Sequence, residues 1–110
     1  LRYLSVMKQV TAVVGNSSSG IIEAPSAQTT TINIGDRQKG RIQSESIINC
    51  EANKEDIISA FDKVKSEVFR NITKNVVNPY GNGNTSNQII KVLKSVSIES
   101  LNQKTFYDIQ

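Results

Sequence analysis

The sequence contains no histidine and no tryptophan, and it has one cysteine among 110 residues. Without histidine the chain cannot form a Ser-His-Asp or Cys-His catalytic group, or a histidine metal site. Cys50 has no second cysteine for an internal disulfide, and we interpret it as a small, buried apolar side chain in a protein of a reducing compartment. Much ordinary catalysis is thereby excluded, and we predict no metal ligand and no cofactor within this chain.

Long apolar runs are also missing. The stretch at residues 12–14 is far shorter than the ~20 residues that a membrane-spanning helix needs, and no secretion signal precedes it. Lys and Arg number 13 against 10 for Asp and Glu, which gives a net charge of +3. This excess is too small and too dispersed for a nucleic-acid-binding surface. The pattern predicts a cytoplasmic protein with neither a membrane nor a nucleic acid among its partners.

Hydrophobic spacing predicts helices that alternate with strands. A helical pattern at the start of the chain reaches Val10, and a helix near the middle begins at the N-cap Asn53 and continues to about Arg70. Residues that recur on one face of this second helix are Ile57, Phe61, Val64 and Val68. The other predicted elements are strands at 11–14, 29–34 and 46–50, a brief helix at 21–24, a loop at 36–44, a turn at 78–84 and a last helix through 89–96.

The predicted strands are short, continuous apolar runs, which are typical of a parallel sheet covered on both faces. The fold class is therefore α/β, with a Rossmann-like parallel sheet flanked by helices. A sheet of three short strands has unpaired edges. We expect residues 1–110 to form one partial domain of a larger protein, which associates into a homo-oligomer.

A serine-rich loop, Gly-Asn-Ser-Ser-Ser-Gly at residues 15–20, connects the first strand to the next helix. Ligands of open α/β sheets bind where such loops leave the carboxyl ends of the strands. The glycines allow close backbone approach, and the serine hydroxyls and helix N–H groups can donate to a phosphate or diphosphate. The alternative is that the serines only cap the helix. The loop lacks the Gly-Lys-Ser/Thr of nucleoside triphosphatases and the spacing of a serine nucleophile.

Two further segments carry charge that suits a nucleotide. Glu23 lies five residues after Ser18 and can accept hydrogen bonds from ribose hydroxyls, although an acidic residue near a helix N-terminus also stabilises the helix by itself. The loop after the second strand carries Arg37, Lys39 and Arg41, which would increase the affinity for an anion. A solvated basic loop is the alternative.

Residues 15–23 (GNSSSGIIE) and 32–41 (INIGDRQKGR) resemble the C-terminal part of UDP-N-acetylglucosamine 2-epimerases. The similarity is to the hydrolysing branch, which serves sialic acid and related nonulosonic acid pathways in bacteria. The turn at 78–84 (NPYGNGN) and residues 104–106 (KTF) also look like this family, so that the resemblance covers nearly the whole chain. The non-hydrolysing relatives have Asp-Ser-Gly-Gly and Thr-Glu-Arg-Pro at the two loops, and this chain has neither.

The resemblance implies the C-terminal half of a two-domain enzyme of glycosyltransferase-B type, with the substrate in the cleft between the domains. It implies that Ser17 and Ser18 hold the diphosphate, that Glu23 holds the ribose and that Arg37 adds positive charge. The implied UDP-binding residues are Asn16, Ser17, Ser18, Glu23, Arg37, Gln38 and Arg41. The partners would be UDP or a UDP-N-acetylhexosamine and an N-terminal domain that contains the acid and base residues.

The implied activity of the full enzyme is elimination of UDP followed by addition of water, which gives N-acetylmannosamine or a related 2-epimer. This chain alone would be inactive. The alternatives are a UDP-sugar-dependent glycosyltransferase of the same architecture and a non-catalytic nucleotide-sugar-binding module. We interpret the turn that contains Tyr80 mainly as a helix entry, with a role in the substrate cleft as the second interpretation.

The chain departs from the family pattern before the second strand. An aromatic residue, a glycine and a proline are common there, whereas this chain has Ala27, Gln28 and Thr30. Loss of the glycine and the proline is expected to loosen this connection by about 1 kcal/mol.

Overall fold

The computed structural model describes residues 2–97, and its contacts divide the chain into two compact units, Leu1–Tyr80 and Gly81–Gln110. The first unit contains α1 (Arg2–Met7), β1 (Ala12–Gly15), α2 (Ser18–Ile22), a 3₁₀ helix (Ala24–Ala27), β2 (Thr30–Ile34), β3 (Ile47–Cys50), α3 (Lys54–Lys65) and α4 (Glu67–Lys74). The second unit contains α5 (Thr85–Ser95). The family-like residues at 104–106 lie outside the described part.

The three strands form one parallel sheet in the order β1-β2-β3. The register pairs Val13 with Thr31 and Asn33 with Asn49. The α/β class and the parallel sheet are thereby confirmed. All three carboxyl ends lie at the same edge of the sheet, so that the loops after β1 and β2 leave from neighbouring points.

Helices cover both faces of the sheet. On one face the core consists of side chains from β2, β3, α3 and α4, namely Ile32, Ile48, Ala60, Val64 and Phe69. On the other face α2 packs against the sheet at Gly20, whose carbonyl accepts a hydrogen bond from the Thr31 hydroxyl at 2.8 Å. The contact of Gly20 with Thr31 holds α2, and with it the end of the serine-rich loop, close to the sheet.

The prediction of one helix from Asn53 to Arg70 is wrong in its second half. Asn53 is the N-cap as predicted, but the helix ends at Lys65 and a new one begins at Glu67. Ser66 between them is extended, with φ −66° and ψ 141°, and its hydroxyl accepts from the Phe69 amide and donates to the Lys63 carbonyl. The Ser66 hydroxyl thus forms hydrogen bonds with a carbonyl at the end of α3 and an amide at the start of α4, in place of the backbone hydrogen bonds that are lost where the helix is interrupted.

The interruption changes which apolar side chains reach the core. Val64 and Phe69 are buried, whereas Phe61 is 41% exposed and Val68 is 73% exposed. The predicted apolar face is therefore only partly buried. Phe61 is exposed although it lies in α3, before the interruption, and Val68 is exposed because α4 starts a new helical phase.

Other differences are small. The first helix ends at Met7 instead of Val10. The helix predicted at 21–24 begins earlier, at Ser18, and ends at Ile22. Pro25, which was expected to end that helix, lies in the first turn of the 3₁₀ helix, because proline is well tolerated at a helix start. No helix within residues 2–97 is long and apolar enough to cross a membrane.

Candidate functional site

The serine-rich loop turns from β1 into α2 at Ser17. Gly15 has φ 147°, in the region that favours glycine, and Ser17 is the extended N-cap of α2. The Ser17 hydroxyl accepts a hydrogen bond from the Ser19 amide at 3.3 Å. The capping interpretation of this serine is therefore confirmed, and its hydroxyl proton is still available for donation to an anion.

The other two serines differ from one another. The Ser19 hydroxyl forms a hydrogen bond with the Tyr3 hydroxyl at 2.8 Å. The Ser18 hydroxyl is half-buried and has no hydrogen-bond partner within residues 2–97. Since α2 has only five residues, its dipole is small, and the hydroxyls of Ser17 and Ser18 are the main donors that the loop offers.

The loop after β2 contacts the serine-rich loop directly. The Gln38 side chain is 3% exposed, and its Nε2 donates to the Asn16 carbonyl at 2.7 Å. Arg37 Nη1 lies 3.5 Å from Asn16 Oδ1. The structure thus brings together Asn16, Ser17, Arg37 and Gln38 at the carboxyl edge of β1 and β2, and Gln38 joins the two loops.

Glu23 and Arg41 lie at the margin of this group. Glu23 is the exposed C-cap of α2, at the opposite end of the helix from Ser17. Arg41 is exposed, as are Arg37 and Lys39, and the only ion pair formed within residues 2–97 is Lys65–Asp62 on α3. The cations of this loop are therefore free to interact with an anionic ligand.

A well-formed groove lies apart from these residues. It measures about 650 Å³ and lies at the carboxyl ends of β2 and β3 beside α3, where Asn33, Lys39, Cys50 and Lys63 are among its walls. None of the predicted UDP-binding residues lines it. Asn16 and Ser17 are exposed, so that this part of the serine-rich loop lies on an open surface of the chain.

Cys50 is half-buried in the wall of that groove. Burial, and secondarily the carboxylates of Asp56 and Glu51, raise the pKa of the Cys50 thiol. A raised pKa leaves the thiol protonated near neutral pH, so that Cys50 is a poor nucleophile.

Sequence reasoning missed the contacts of the turn that precedes α5. Asn78 Nδ2 donates to the Ile22 carbonyl at the end of α2, at 2.8 Å, and to Ser26 Oγ. The Tyr80 hydroxyl donates to the Ile42 carbonyl at 2.9 Å. The NPYGNGN motif was the available signal, but its spacing alone does not reveal which segments the side chains contact.

The chain matches the UDP-N-acetylglucosamine 2-epimerase family over residues 1–94. It is 49% identical over 109 residues to the GDP/UDP-N,N'-diacetylbacillosamine 2-epimerase (hydrolyzing) of Campylobacter jejuni, covering 98% of this chain and 28% of that protein. It is 37% identical over 108 residues to the polysialic acid biosynthesis protein P7 of Escherichia coli, covering 97% of this chain and 28% of that protein.

A third relative is the UDP-N,N'-diacetylbacillosamine 2-epimerase (hydrolyzing) of Legionella pneumophila, 30% identical over 101 residues, with 89% of this chain and 25% of that protein covered. The chain thus spans little more than a quarter of the length of these relatives. The match over most of its residues shows that the chain is a C-terminal piece that belongs to the UDP-N-acetylglucosamine 2-epimerase family, whose members have a glycosyltransferase-B-like architecture.

Proposed function

We propose that this chain is the UDP-binding part of a hydrolysing UDP-sugar 2-epimerase. The observation that carries the proposal is the contact of Arg37 and Gln38 with Asn16, the residue that immediately precedes Ser17 and Ser18. Two relatives are named hydrolysing 2-epimerases, which supports the same reaction here.

The diphosphate of UDP would lie between the serine hydroxyls and Arg37. At 3.5 Å the Arg37–Asn16 contact is at the limit of a hydrogen bond, so the guanidinium can reorient toward phosphate with little loss. Bonds of arginine to an anionic phosphate are stronger than this contact with the neutral amide oxygen of Asn16. Glu23, at the far end of α2, would accept hydrogen bonds from the ribose hydroxyls.

This geometry assists departure of UDP. In the proposed reaction the bond between C1 of the sugar and the phosphate oxygen breaks, and its electron pair leaves with UDP. A base removes the proton from C2, and a glycal forms. Water then adds across the double bond, with a hydroxyl at C1 and a proton on the opposite face of C2. Arg37 and the serine hydroxyls stabilise the negative charge on the departing diphosphate, while the acid and base come from the remainder of the protein.

The substrate class is a UDP-linked N-acetylated hexosamine. The name of the 49% identical relative favours the N,N'-diacetylbacillosamine derivative over UDP-N-acetylglucosamine. The open surface around the serine-rich loop suits one wall of a cleft, with the other wall supplied by the rest of the parent protein.

Calorimetric titration of the full-length parent with UDP tests this proposal. We expect Arg37→Ala to weaken UDP binding about tenfold or more, because a charge-assisted hydrogen bond contributes ~1.5–3 kcal/mol. Ser18→Ala should weaken it by a smaller factor. Arg70→Ala and Ser59→Ala, at exposed positions on α4 and α3, are matched controls that should bind like wild type.

Equal affinity of wild type, Arg37→Ala and Ser18→Ala would overturn the proposal. With UDP-N,N'-diacetylbacillosamine or UDP-N-acetylglucosamine as substrate, the parent should release UDP and an unattached 2-epimer. Transfer of the sugar to an acceptor would instead identify a glycosyltransferase.

A further inference from the structure

Two segments that come from different strands must be held at a defined separation if they are to bind one diphosphate. The first is the serine-rich loop with α2, which carries Ser17 and Ser18. The second is the loop at 36–44, which carries Arg37. Near β1 and β2 they are joined through Asn16. The distal parts of both segments contact the turn at 78–80.

Asn78 holds the distal end of α2. Its Nδ2 donates to the Ile22 carbonyl at 2.8 Å and to Ser26 Oγ at 2.6 Å, and its Oδ1 accepts from the Tyr80 amide at 3.0 Å. The last carbonyls of a helix lack partners within the helix. Asn78 therefore restrains the end of α2 next to Glu23.

Tyr80 holds the distal part of the 36–44 loop. Its hydroxyl donates to the Ile42 carbonyl at 2.9 Å, and Gln43 Oε1 accepts from Asn49 Nδ2 at 2.7 Å. The loop is thus tied at Gln38 on one side and at Ile42 on the other.

We propose that the turn at 78–80 is a positioning element of the UDP site, which joins α2 to the 36–44 loop and determines the separation of the serine hydroxyls and Arg37. This inference rests on the proposed function, since it assumes that these groups bind UDP. Asn78 and Tyr80 are positioning residues that act through the backbone of Ile22 and Ile42 and do not contact the ligand.

The exposure of the two side chains separates positioning from a role in folding. Tyr80 is 40% exposed and Asn78 is half-buried, and neither belongs to the core around Ile32. Removal of one exposed hydroxyl should change the stability little. A displacement of about 1 Å in a loop that aligns reacting groups can nevertheless reduce function strongly.

The test uses the full-length parent with two variants. Tyr80→Phe removes only the hydroxyl that binds the Ile42 carbonyl. Asn78→Asp keeps the shape and the acceptor for the Tyr80 amide, but places an oxygen where Nδ2 donated to Ile22. Gln28→Glu is the matched control, because Gln28 Nε2 likewise donates to a carbonyl at a helix end, that of Lys74 in α4, and Gln28 precedes the amino end of β2, at the opposite edge of the sheet from the proposed site.

We expect Tyr80→Phe and Asn78→Asp to raise the Kd for UDP and the KM for the UDP-sugar about threefold to tenfold, because the segments that carry Arg37 and the serines are then displaced from the binding geometry. The melting temperature of Tyr80→Phe should stay close to that of wild type. Gln28→Glu should bind UDP like wild type even where its melting temperature falls.

Unchanged UDP affinity in Tyr80→Phe would overturn the inference and leave the proposed function intact, provided that wild type binds UDP. A fall in melting temperature without a change in Kd would assign the turn a purely structural role and overturn the inference as well. Absence of UDP binding by wild type would overturn the proposed function and this inference together.

Discussion

Gln28 occupies a backbone conformation that favours glycine. With φ 53° and ψ 40° it is the only residue other than glycine with a positive φ in the part of the chain that the structure describes. The left-handed conformation costs about 1–2 kcal/mol for a residue with a side chain. Its Nε2 donates to the Lys74 carbonyl at 2.7 Å, a bond that contributes ~1 kcal/mol. The loosening expected from the missing glycine is thus offset by a bond to the end of α4.

This balance predicts different effects for two substitutions at position 28. Gln28→Ala loses the bond to Lys74 and keeps the strained backbone, so that the free energy of unfolding should fall by about 1 kcal/mol. Gln28→Gly loses the same bond but relieves the strain, and the stability should remain close to wild type. Urea denaturation measures both. Gln9→Ala, at another exposed glutamine, is the control. A Gly variant less stable than the Ala variant would contradict this explanation.

Among the elements, α2 lies unusually close to β2. A Cβ at Gly20 would lie 2.7 Å from Cγ2 of Thr31, closer than real side chains approach, while the Thr31 hydroxyl donates to the Gly20 carbonyl. A glycine inside a helix normally costs about 1 kcal/mol relative to alanine. Here the contact with the sheet reverses that preference. The separation of α2 from β2 therefore depends on the absence of a side chain at Gly20 and on the side chain of Thr31.

Gly20→Ala is expected to destabilise the fold by about 1–3 kcal/mol, because the added methyl group forces α2 away from the sheet. Thr31→Ser retains the hydroxyl and removes the methyl group that would clash. The double variant should recover part of the loss, and a double-mutant cycle by thermal or urea unfolding measures this coupling. Additive effects of the two substitutions would show that Thr31 Cγ2 is not the obstacle.

At the scale of the whole molecule, α1, β1 and the segment between them expose a group of apolar side chains. Tyr3, Leu4, Val6, Val10 and Val14 are each at least 40% exposed. Within residues 2–97, β1 pairs with β2 only, so that its other edge has no strand beside it. Exposed apolar surface of this kind is typical of an interface. Because the relatives are far longer than this chain, we propose that other parts of the parent protein cover this surface.

The 110-residue chain produced alone should therefore self-associate. Light scattering should give an apparent mass that increases with concentration. Val6→Lys places a charge on the exposed face of α1 and should reduce the association, whereas Val68→Lys, on the exposed side of α4, is the control and should not. A monodisperse monomer at all concentrations would contradict this expectation.

Local patterns were sufficient for much of the fold and for the choice of candidate residues. The β-branched run at 29–34, the glycines that end the first strand and follow the second, and the Asn53 N-cap are local signals, and the structure agrees with them. The interruption at Ser66 was not predicted, because the spacing from Ile57 to Val68 continues unbroken. Its place depends on Phe69 packing against the core residues of the sheet.

The arrangement of the candidate site required contacts between distant parts of the chain. Gln38 meets Asn16 across 22 positions, Tyr80 meets Ile42 across 38 and Asn78 meets Ile22 across 56. The serines and the arginine are recognisable as phosphate-binding residue types from local chemistry alone. Their common location follows from the parallel sheet and the turn at 78–80, because hydrogen bonds between distant segments leave no periodic pattern in a single sequence.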